Sequence, residues 1–199
     1  MLRYASSSIP RTEQGFAIIE LLIALAMSGV ILGAVCSFLI VQRRVHATQD
    51  QTTQMVQRAR AAMDLMGYEL QMAGYNPRRV AFEAISYHAS QLQLRADLNG
   101  NGTTTEAEET ITYSYDATNR RLLRDAGAGA EPLTDHIQAF TWEYLDASGT
   151  PTTTAANIRQ IRLVITTRTG KPDPLYPSNG GYRTYTLMSV ITPRNLAYR

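Results

Sequence analysis

Oxygen-bearing side chains recur at close intervals in one polar stretch, DLNGNGTTTEAE, which spans residues 97–108. The stretch satisfies the pattern D-x-[DN]-x-[DN]-G-x₅-E of a calcium-binding loop, in which a glycine permits a sharp turn. Calcium takes about six to eight hard oxygen ligands, and this spacing wraps such ligands around one point. The predicted ligands are Asp97, Asn99, Asn101 and Glu108, the carbonyl of Thr103, and Thr105 directly or through water.

Two features distinguish this loop from an EF-hand. Its flanks, QLQLRA and TITYSY, have the pattern of strands, and its eighth position is Thr104 instead of an apolar residue. The alternative is a polar hairpin loop whose acidic side chains are only solvated. Both interpretations stay open at this point, and calcium, if bound, would serve to rigidify a long loop.

Residues typical of catalysis show no recognisable spacing. His46, His88 and His136 are scattered, and the sequence has no His-Glu-x-x-His, no Gly-x-Ser-x-Gly and no phosphate-binding glycine loop. A lone histidine is more often a surface or hydrogen-bonded residue than a ligand. We therefore expect that the chain is not an enzyme.

The composition indicates one modest folded domain with an appendage. The chain has 199 residues, of which 44% are hydrophobic and 18% charged, and its formal net charge is +2. Basic residues are spread along the sequence, so no patch favours specific nucleic-acid binding. Cys36 is the sole cysteine, which excludes an intramolecular disulfide and a thiolate metal cluster.

The N-terminal part contains an apolar run that is long enough to cross a membrane. No residue from Leu21 to Val41 is charged, and about 20 apolar residues suffice to span the hydrocarbon layer. The run is longer than the ~7–15 residue core of a secretory signal. Arginines both precede and follow it, so the charge rule leaves its orientation ambiguous.

A short polar leader, MLRYASSSIPRTEQG, precedes this run and ends at Gly15. Gly15 and Phe16, with Glu20 as the fifth residue from Phe16, resemble the cleavage and methylation signature of type IV prepilins and pseudopilins. The resemblance implies that a prepilin peptidase at the inner membrane cuts after Gly15 and methylates the new amine of Phe16. Ala17 and Ile18 depart from the usual Thr or Ser and Leu.

Glu20 needs a physical explanation, because a carboxylate inside a membrane costs about 2.5–3.5 kcal/mol on insertion scales. Cleavage after Gly15 would create a cation at Phe16. In a filament of packed helices, Glu20 of one subunit could pair with the Phe16 amine of another. Such a pair sets subunit register more than it adds stability, because desolvation offsets the attraction.

Beyond Arg44 the helical pattern continues but becomes amphipathic. Apolar residues recur at three- and four-residue steps, while the polar residues between them, Glu69 included, are predicted to lie on other faces. Gly74 and Pro77 supply a helix stop. The apolar positions are Thr52, Met55, Ala59, Met63, Met66, Leu70 and Ala73.

The remaining sequence alternates in the manner of strands, with Gly, Pro, Asn and Asp clusters between them. Short connections without helices favour antiparallel pairing. We therefore predict an α+β fold: a long N-terminal helix, half in the membrane and half amphipathic, packed on an antiparallel β-sheet as in pilins. The predicted strands lie within residues 81–89, 91–96, 109–115, 120–124, 136–145, 158–168 and 182–192, and 125–135 is predicted as a loop.

The predicted organisation has four parts: leader 1–15, membrane or filament-core helix 16–41, amphipathic continuation 42–74, and β domain 75–199. Within the prepilin family, Leu70-x-x-Ala73-Gly74-Tyr75 and the terminal ITPRNL resemble PilW-type minor pilins. The resemblance implies a structural subunit that initiates or caps a type IV pilus.

The implied partners are other minor and major pilins, met through the N-terminal helix, and the prepilin peptidase. The implied location is the inner membrane as a single-pass precursor with an extracytoplasmic β domain, then a cell-surface pilus. Two alternatives stay open: a J-type minor pseudopilin of type II secretion, in a periplasmic pseudopilus, and a ligand-binding or adhesion module at the tip, with the 169–181 loop as a contact surface.

Overall fold

The computed structural model of the chain describes residues 18–196. One helix, α1, runs from Ile18 to Met72. The chain divides into two compact units between Ala47 and Thr48, so α1 contributes residues to both. The second unit contains the rest of α1 and the whole β structure.

The β structure consists of two antiparallel sheets. The first sheet has the order β1-β2-β3-β4-β5 and the second has the order β6-β7-β8. Short 3₁₀ helices occur at Ala155–Asn157 and Ser178–Gly181. The strands are β1 Ile85–Ser86, β2 Gln91–Arg95, β3 Thr110–Asp116, β4 Arg121–Asp125, β5 Glu131–Asp135, β6 Ile137–Leu145, β7 Gln160–Arg168 and β8 Thr184–Ile191.

These elements confirm the predicted α+β class, with two differences in detail. The strands form two sheets where one was expected, and the stretch predicted as a loop contains β5. The sequence EPLTD of β5 has a single large apolar residue and a proline, which cannot donate to a ladder. The proline is tolerated because β5 is an edge strand, and its pairing with β4 has a register shift at Leu122 and Leu123.

The core of the second unit lies between α1 and the two sheets. The amphipathic spacing correctly predicts most of the buried face of α1, although Thr52 is only partly buried and Ala62 is added. From the central strand β7, alternate residues are buried: Ile161, Leu163, Ile165 and Thr167. Burial of one such aliphatic side chain stabilises the fold by about 1.5–3 kcal/mol.

Glu69 departs from the predicted helix pattern, because it lies on the buried face and is only 6% exposed. Its carboxylate accepts hydrogen bonds from the Tyr113 hydroxyl and from Arg124, whose Nη2 lies 2.7 Å from Glu69 Oε1. Arg124 also pairs with Glu108. Burial and the neighbouring Glu69 carboxylate raise the pKa of Tyr113. Glu69 is therefore buried because β3 and β4 supply its partners.

A single residue, His136, connects β5 of the first sheet to β6 of the second. Its backbone has a φ of 61°, a left-handed conformation that lets the chain change direction sharply. The Tyr115 hydroxyl, from β3, donates to the carbonyls of Ile137 and Gln138 at 3.1 and 3.0 Å. The two sheets are thus joined by hydrogen bonds as well as by the chain.

The end of α1 agrees with the stop signal in the sequence. Gly74 has a φ of 79° and donates its N–H to the Arg95 carbonyl at 2.8 Å. A Cβ at this position would lie 3.1 Å from the Ala84 Cβ, so both the backbone conformation and the space favour glycine.

The connection from β7 to β8 is a long loop with an internal ion pair. Arg183 Nη2 lies 2.9 Å from Asp173 Oδ2, and the Asp173 N–H donates to the Gly181 carbonyl at 2.7 Å. The Arg183 guanidinium lies over the ring of Tyr176, with its Cζ 4.9 Å from the centroid. The hydrogen bond from Arg183, followed by that from the Leu175 N–H, lowers the pKa of Asp173.

Replacement of Glu69 by alanine leaves Arg124 and the Tyr113 hydroxyl without their shared buried acceptor. We expect Glu69→Ala to lower the free energy of unfolding by about 1–3 kcal/mol. Urea unfolding of the detergent-solubilised chain, followed by the fluorescence of the sole tryptophan, Trp142, measures this change. The control is Glu143→Ala, which removes a half-exposed pair with Arg162 and should cost less than about 1 kcal/mol. Equal losses in both variants would contradict the role assigned to Glu69.

Acid should weaken the β7–β8 loop through Asp173. Because its pKa is lowered in the folded state, this group stabilises the fold above the unfolded pKa near 4, and that contribution is lost as the pH falls through the folded pKa. We expect Asp173→Asn to unfold at a lower urea concentration than the wild type at pH 7. The difference between the urea midpoints at pH 7 and pH 3 should also be smaller in Asp173→Asn than in the wild type. Asp64→Asn, on the exposed side of α1, is the control; an unchanged pH difference in Asp173→Asn would refute this assignment.

Candidate functional site

The first unit presents a continuous apolar surface along α1. Its large side chains are exposed throughout, from Ile18 at 79% to Val41 at 58%. By length and composition this is the one helix among residues 18–196 that could cross a membrane. A helix that is apolar all round is suited to lipid or to packing among other helices.

Polar groups within this apolar surface are few. The hydroxyls of Ser28 and Ser37 donate to the carbonyls four residues earlier, Ala24 and Gly33, at 2.7 and 2.9 Å. These bonds satisfy the hydroxyls within the helix, so neither serine demands an external partner. The surface is therefore compatible with a hydrocarbon environment.

Glu20 lies in the first turn of the described helix and is exposed. It is the one charged residue between Ile18 and Val41. Gly15 and Phe16, the predicted cleavage and methylation residues, lie outside the described residues. Gly29 and Gly33 face open space, since a Cβ at either position would have no neighbouring atom within 4 Å. Because they have no side chain, another helix can approach the backbone of α1 closely at these two positions.

The loop of residues 97–108 joins β2 to β3, as the strand-like flanks predicted. Asp97 is fully buried, and its Oδ2 accepts the Gly102 N–H at 3.0 Å. Gly102 has a φ of 89°, and a Cβ there would lie 3.1 Å from the Val80 Cγ2, so the sharp turn requires glycine. The other oxygen, Oδ1, is buried and has no hydrogen-bond partner.

The neutral side chains of the loop organise its backbone. Asn99 Oδ1 accepts the Asn101 N–H at 2.8 Å, and Asn101 Oδ1 accepts the Thr103 N–H at 2.7 Å and the Thr103 hydroxyl at 2.8 Å. The Thr104 carbonyl accepts the Thr110 hydroxyl at 2.7 Å. Thr105, predicted as a direct or water-mediated ligand, lies in the exposed part of the loop.

The structure places a different glutamate against the loop from the one that the spacing indicated. The Glu108 side chain is 58% exposed and pairs with Arg124, and its backbone φ of 66° turns the chain. Glu109 is 2% exposed, and its Oε1 accepts the N–H groups of Leu98 and Asn99 at 3.0 and 3.2 Å. Glu109 Oε2 is buried without a hydrogen-bond partner. Glu109 therefore takes the position predicted for Glu108.

A third carboxylate, that of Glu106, adjoins this group. Its oxygens accept hydrogen bonds from Asn101 Nδ2 at 2.6 Å and from the Thr103 hydroxyl at 2.8 Å. The neighbouring Glu109 carboxyl group, followed by the hydrogen bonds from Thr103 and Asn101, lowers the pKa of Glu106 to about 2. The neighbouring Glu106 carboxylate, followed by burial, raises the pKa of Glu109. A buried charged oxygen without a partner costs at least about 1–3 kcal/mol, so this arrangement calls for a cation or a proton.

The three histidines do not come together. His46 lies on α1, His88 between β1 and β2, and His136 between β5 and β6. Burial, and then the charge of Arg58, lower the pKa of His136. Within residues 18–196, no three His, Cys, Asp or Glu side chains form a group that could hold a metal ion by themselves.

Comparison with protein-family models gives a match to the N-terminal part of the chain. Residues 10–35 match the family model described as the prokaryotic N-terminal methylation motif, a range that includes Gly15, Phe16 and Glu20. Among curated proteins, none matches the chain.

One similar solved structure is a type IV-like pilin, TTHA1219, from Thermus thermophilus. The two chains are 16% identical, the match covers 75% of this chain and 98% of that one, and the TM-score is 0.43. The chain therefore carries the prokaryotic N-terminal methylation motif, followed by one long helix and two antiparallel sheets.

Proposed function

We propose that this chain is a minor pilin, a structural subunit of a type IV pilus that takes part in initiating assembly or forms the tip. The observation that carries the proposal is the methylation motif over residues 10–35, which runs directly into an exposed apolar helix. A prepilin peptidase cuts after Gly15 and methylates Phe16. In this role the chain is anchored by its N-terminal helix, and a structural subunit needs no catalytic site.

The exposed surface of α1 explains how one segment serves two locations. Before assembly, lipid of the inner membrane covers the apolar side chains from Ile18 to Val41, and the β domain is extracytoplasmic. In the fibre, the helices of minor and major pilins replace the lipid. Gly29 and Gly33 support this exchange, because small residues at a four-residue spacing let helices approach closely.

Glu20 provides register between subunits. A charge in a bundle of apolar helices is costly unless it meets an opposite charge. The amine of Phe16 in a neighbouring subunit is the partner that cleavage creates. An axial displacement of one subunit separates the two charges, so the pair favours one stagger of the helices.

Two features of the sequence support a minor pilin over a major one. Cys36 is the sole cysteine and lies in α1, so the β domain has no disulfide-closed receptor loop of the kind that major pilins carry. The helix end at Leu70, Ala73, Gly74 and Tyr75 resembles PilW-type minor pilins.

If the chain is a minor pilin, loss of its gene should remove fibres and motility. Loss of exported enzymes with intact fibres would instead assign the chain to type II secretion.

The mature N-terminus is the first test of this pathway. We expect the protein recovered from the membranes of its own host to begin at methylated Phe16, because the motif supplies both the cleavage and the methylation residues. Intact mass and sequencing of the N-terminal peptide measure this. A mature chain that retains Met1 would refute the proposal.

Assembly should depend on the charge of Glu20. We expect Glu20→Ala to be cleaved normally but to enter sheared fibres at least about tenfold less than the wild type, a ratio that corresponds to ~1.4 kcal/mol. Immunoblots of the membrane and fibre fractions measure the two steps. Ser28→Ala, in the same apolar surface but with a hydroxyl bonded inside its own helix, should assemble normally. Normal entry of Glu20→Ala into fibres would eliminate the charge pair.

A further inference from the structure

We propose that the loop of residues 97–109 binds one calcium ion through the buried carboxylates of Asp97 and Glu109. This site does not depend on the proposed role in pili. Glu109 replaces Glu108, which the sequence spacing favoured as the acidic ligand at the end of the loop. Two carboxylate oxygens of this loop are buried without a hydrogen-bond partner.

The first of these oxygens belongs to Asp97. Its carboxylate lies inside the loop, because Oδ2 accepts the N–H of Gly102, five residues further along the chain. Oδ1, on the same carboxylate, is buried and has no hydrogen-bond partner. Buried polar atoms without a partner are rare in folded proteins, and in a loop that matches a calcium-binding pattern such an oxygen favours a cation beside it.

The second oxygen belongs to Glu109 and has the same character. Glu109 Oε1 accepts the N–H groups of Leu98 and Asn99, so the carboxylate lies against the residues that directly follow Asp97. Its Oε2 is likewise buried and without a hydrogen-bond partner. The loop thus holds two buried carboxylates, each bound by backbone N–H groups and each with one oxygen that has no hydrogen-bond partner, and the proposal assigns both oxygens to one divalent ion.

Neutral oxygens nearby can complete the coordination. A carbonyl oxygen has two lone pairs, and Asn99 Oδ1 uses one of them for the Asn101 N–H. Asn101 Oδ1 already accepts both the N–H and the hydroxyl of Thr103, so it becomes a ligand only if that hydroxyl turns away.

The chemistry of these groups selects calcium. The loop offers oxygen alone, since residues 97–109 contain no histidine, cysteine or methionine. Zinc prefers nitrogen and sulfur ligands, and magnesium demands a rigid octahedron. Calcium accepts mixed carboxylate, amide and carbonyl oxygens in flexible geometry, and water can fill the remaining positions.

An ion at this place would tie together the two ends of the loop. Ala96 and Glu109 close the hairpin through a backbone hydrogen bond of 2.8 Å, so Asp97 and Glu109 stand at its entrance and exit. Gly102 packs beside Val80 and Arg78, in the segment that follows α1. Calcium would therefore hold the hairpin loop against that segment.

The test is equilibrium dialysis of the detergent-solubilised full-length chain against radioactive calcium. We expect one ion per chain, with a dissociation constant on the order of 10⁻⁴–10⁻³ M, as in extracellular modules. Calcium at about tenfold that concentration should raise the urea midpoint followed by Trp142 fluorescence, because an ion that binds only the folded state stabilises it. Equal concentrations of magnesium should not.

Matched variants decide which acids hold the ion. Asp97→Asn and Glu109→Gln should each weaken calcium binding at least tenfold and abolish the midpoint shift, whereas Glu108→Gln should keep both. Trp142 fluorescence without calcium shows whether each variant is folded. If a variant is not folded, calcium binding by the wild type still tests the proposal. The proposal is overturned if the wild type binds no calcium, if Glu109→Gln binds normally, or if Glu108→Gln alone loses the ion.

Discussion

The rest of the structure depends on one constraint, which is that a single helical backbone carries both an exposed apolar segment and an amphipathic segment that packs on the β structure. In hydrocarbon, every backbone N–H and C=O must be satisfied within the segment, and an unbroken α-helix achieves this. The same helix later has to bury one face on the β structure. Its sequence therefore changes from apolar on all sides to apolar on one side, while its hydrogen bonding continues from Ile18 to Met72.

Burial of one face of each element explains why much of the fold could be predicted from the sequence. Periodicity identified the buried face of α1, and strict alternation identified β7, because burial selects one apolar residue per step of the repeat. Where burial is weak, periodicity fails. The edge strand β5 has a single large apolar residue and a proline, and a Gly-rich stretch precedes it. The sequence therefore predicts a loop over all of 125–135, although 131–135 form a strand.

Buried polar groups are the second feature that the sequence does not predict well. Glu69 follows the helical repeat of the buried face, but a carboxylate there is acceptable only with partners, and those partners lie on β3 and β4. The same holds for Glu108 and Glu109. The motif lies in the loop between β2 and β3, but which of the two adjacent acids is buried there depends on the left-handed turn at Glu108, whose side chain pairs with Arg124. Such choices are made by distant residues that no local pattern contains.

The hydrogen bonds between α1 and the β domain also have a mechanical consequence. Thr167 Oγ1 donates to the Met55 carbonyl at 3.0 Å, Arg124 pairs with Glu69, and Asn195 Nδ2 donates to the Met72 carbonyl at 3.4 Å. These attachments are spaced along the helix and lie on different parts of the β domain. A pull along the axis of α1 therefore loads them together in shear, so the domain resists extraction of the helix better than a single attachment at one end would.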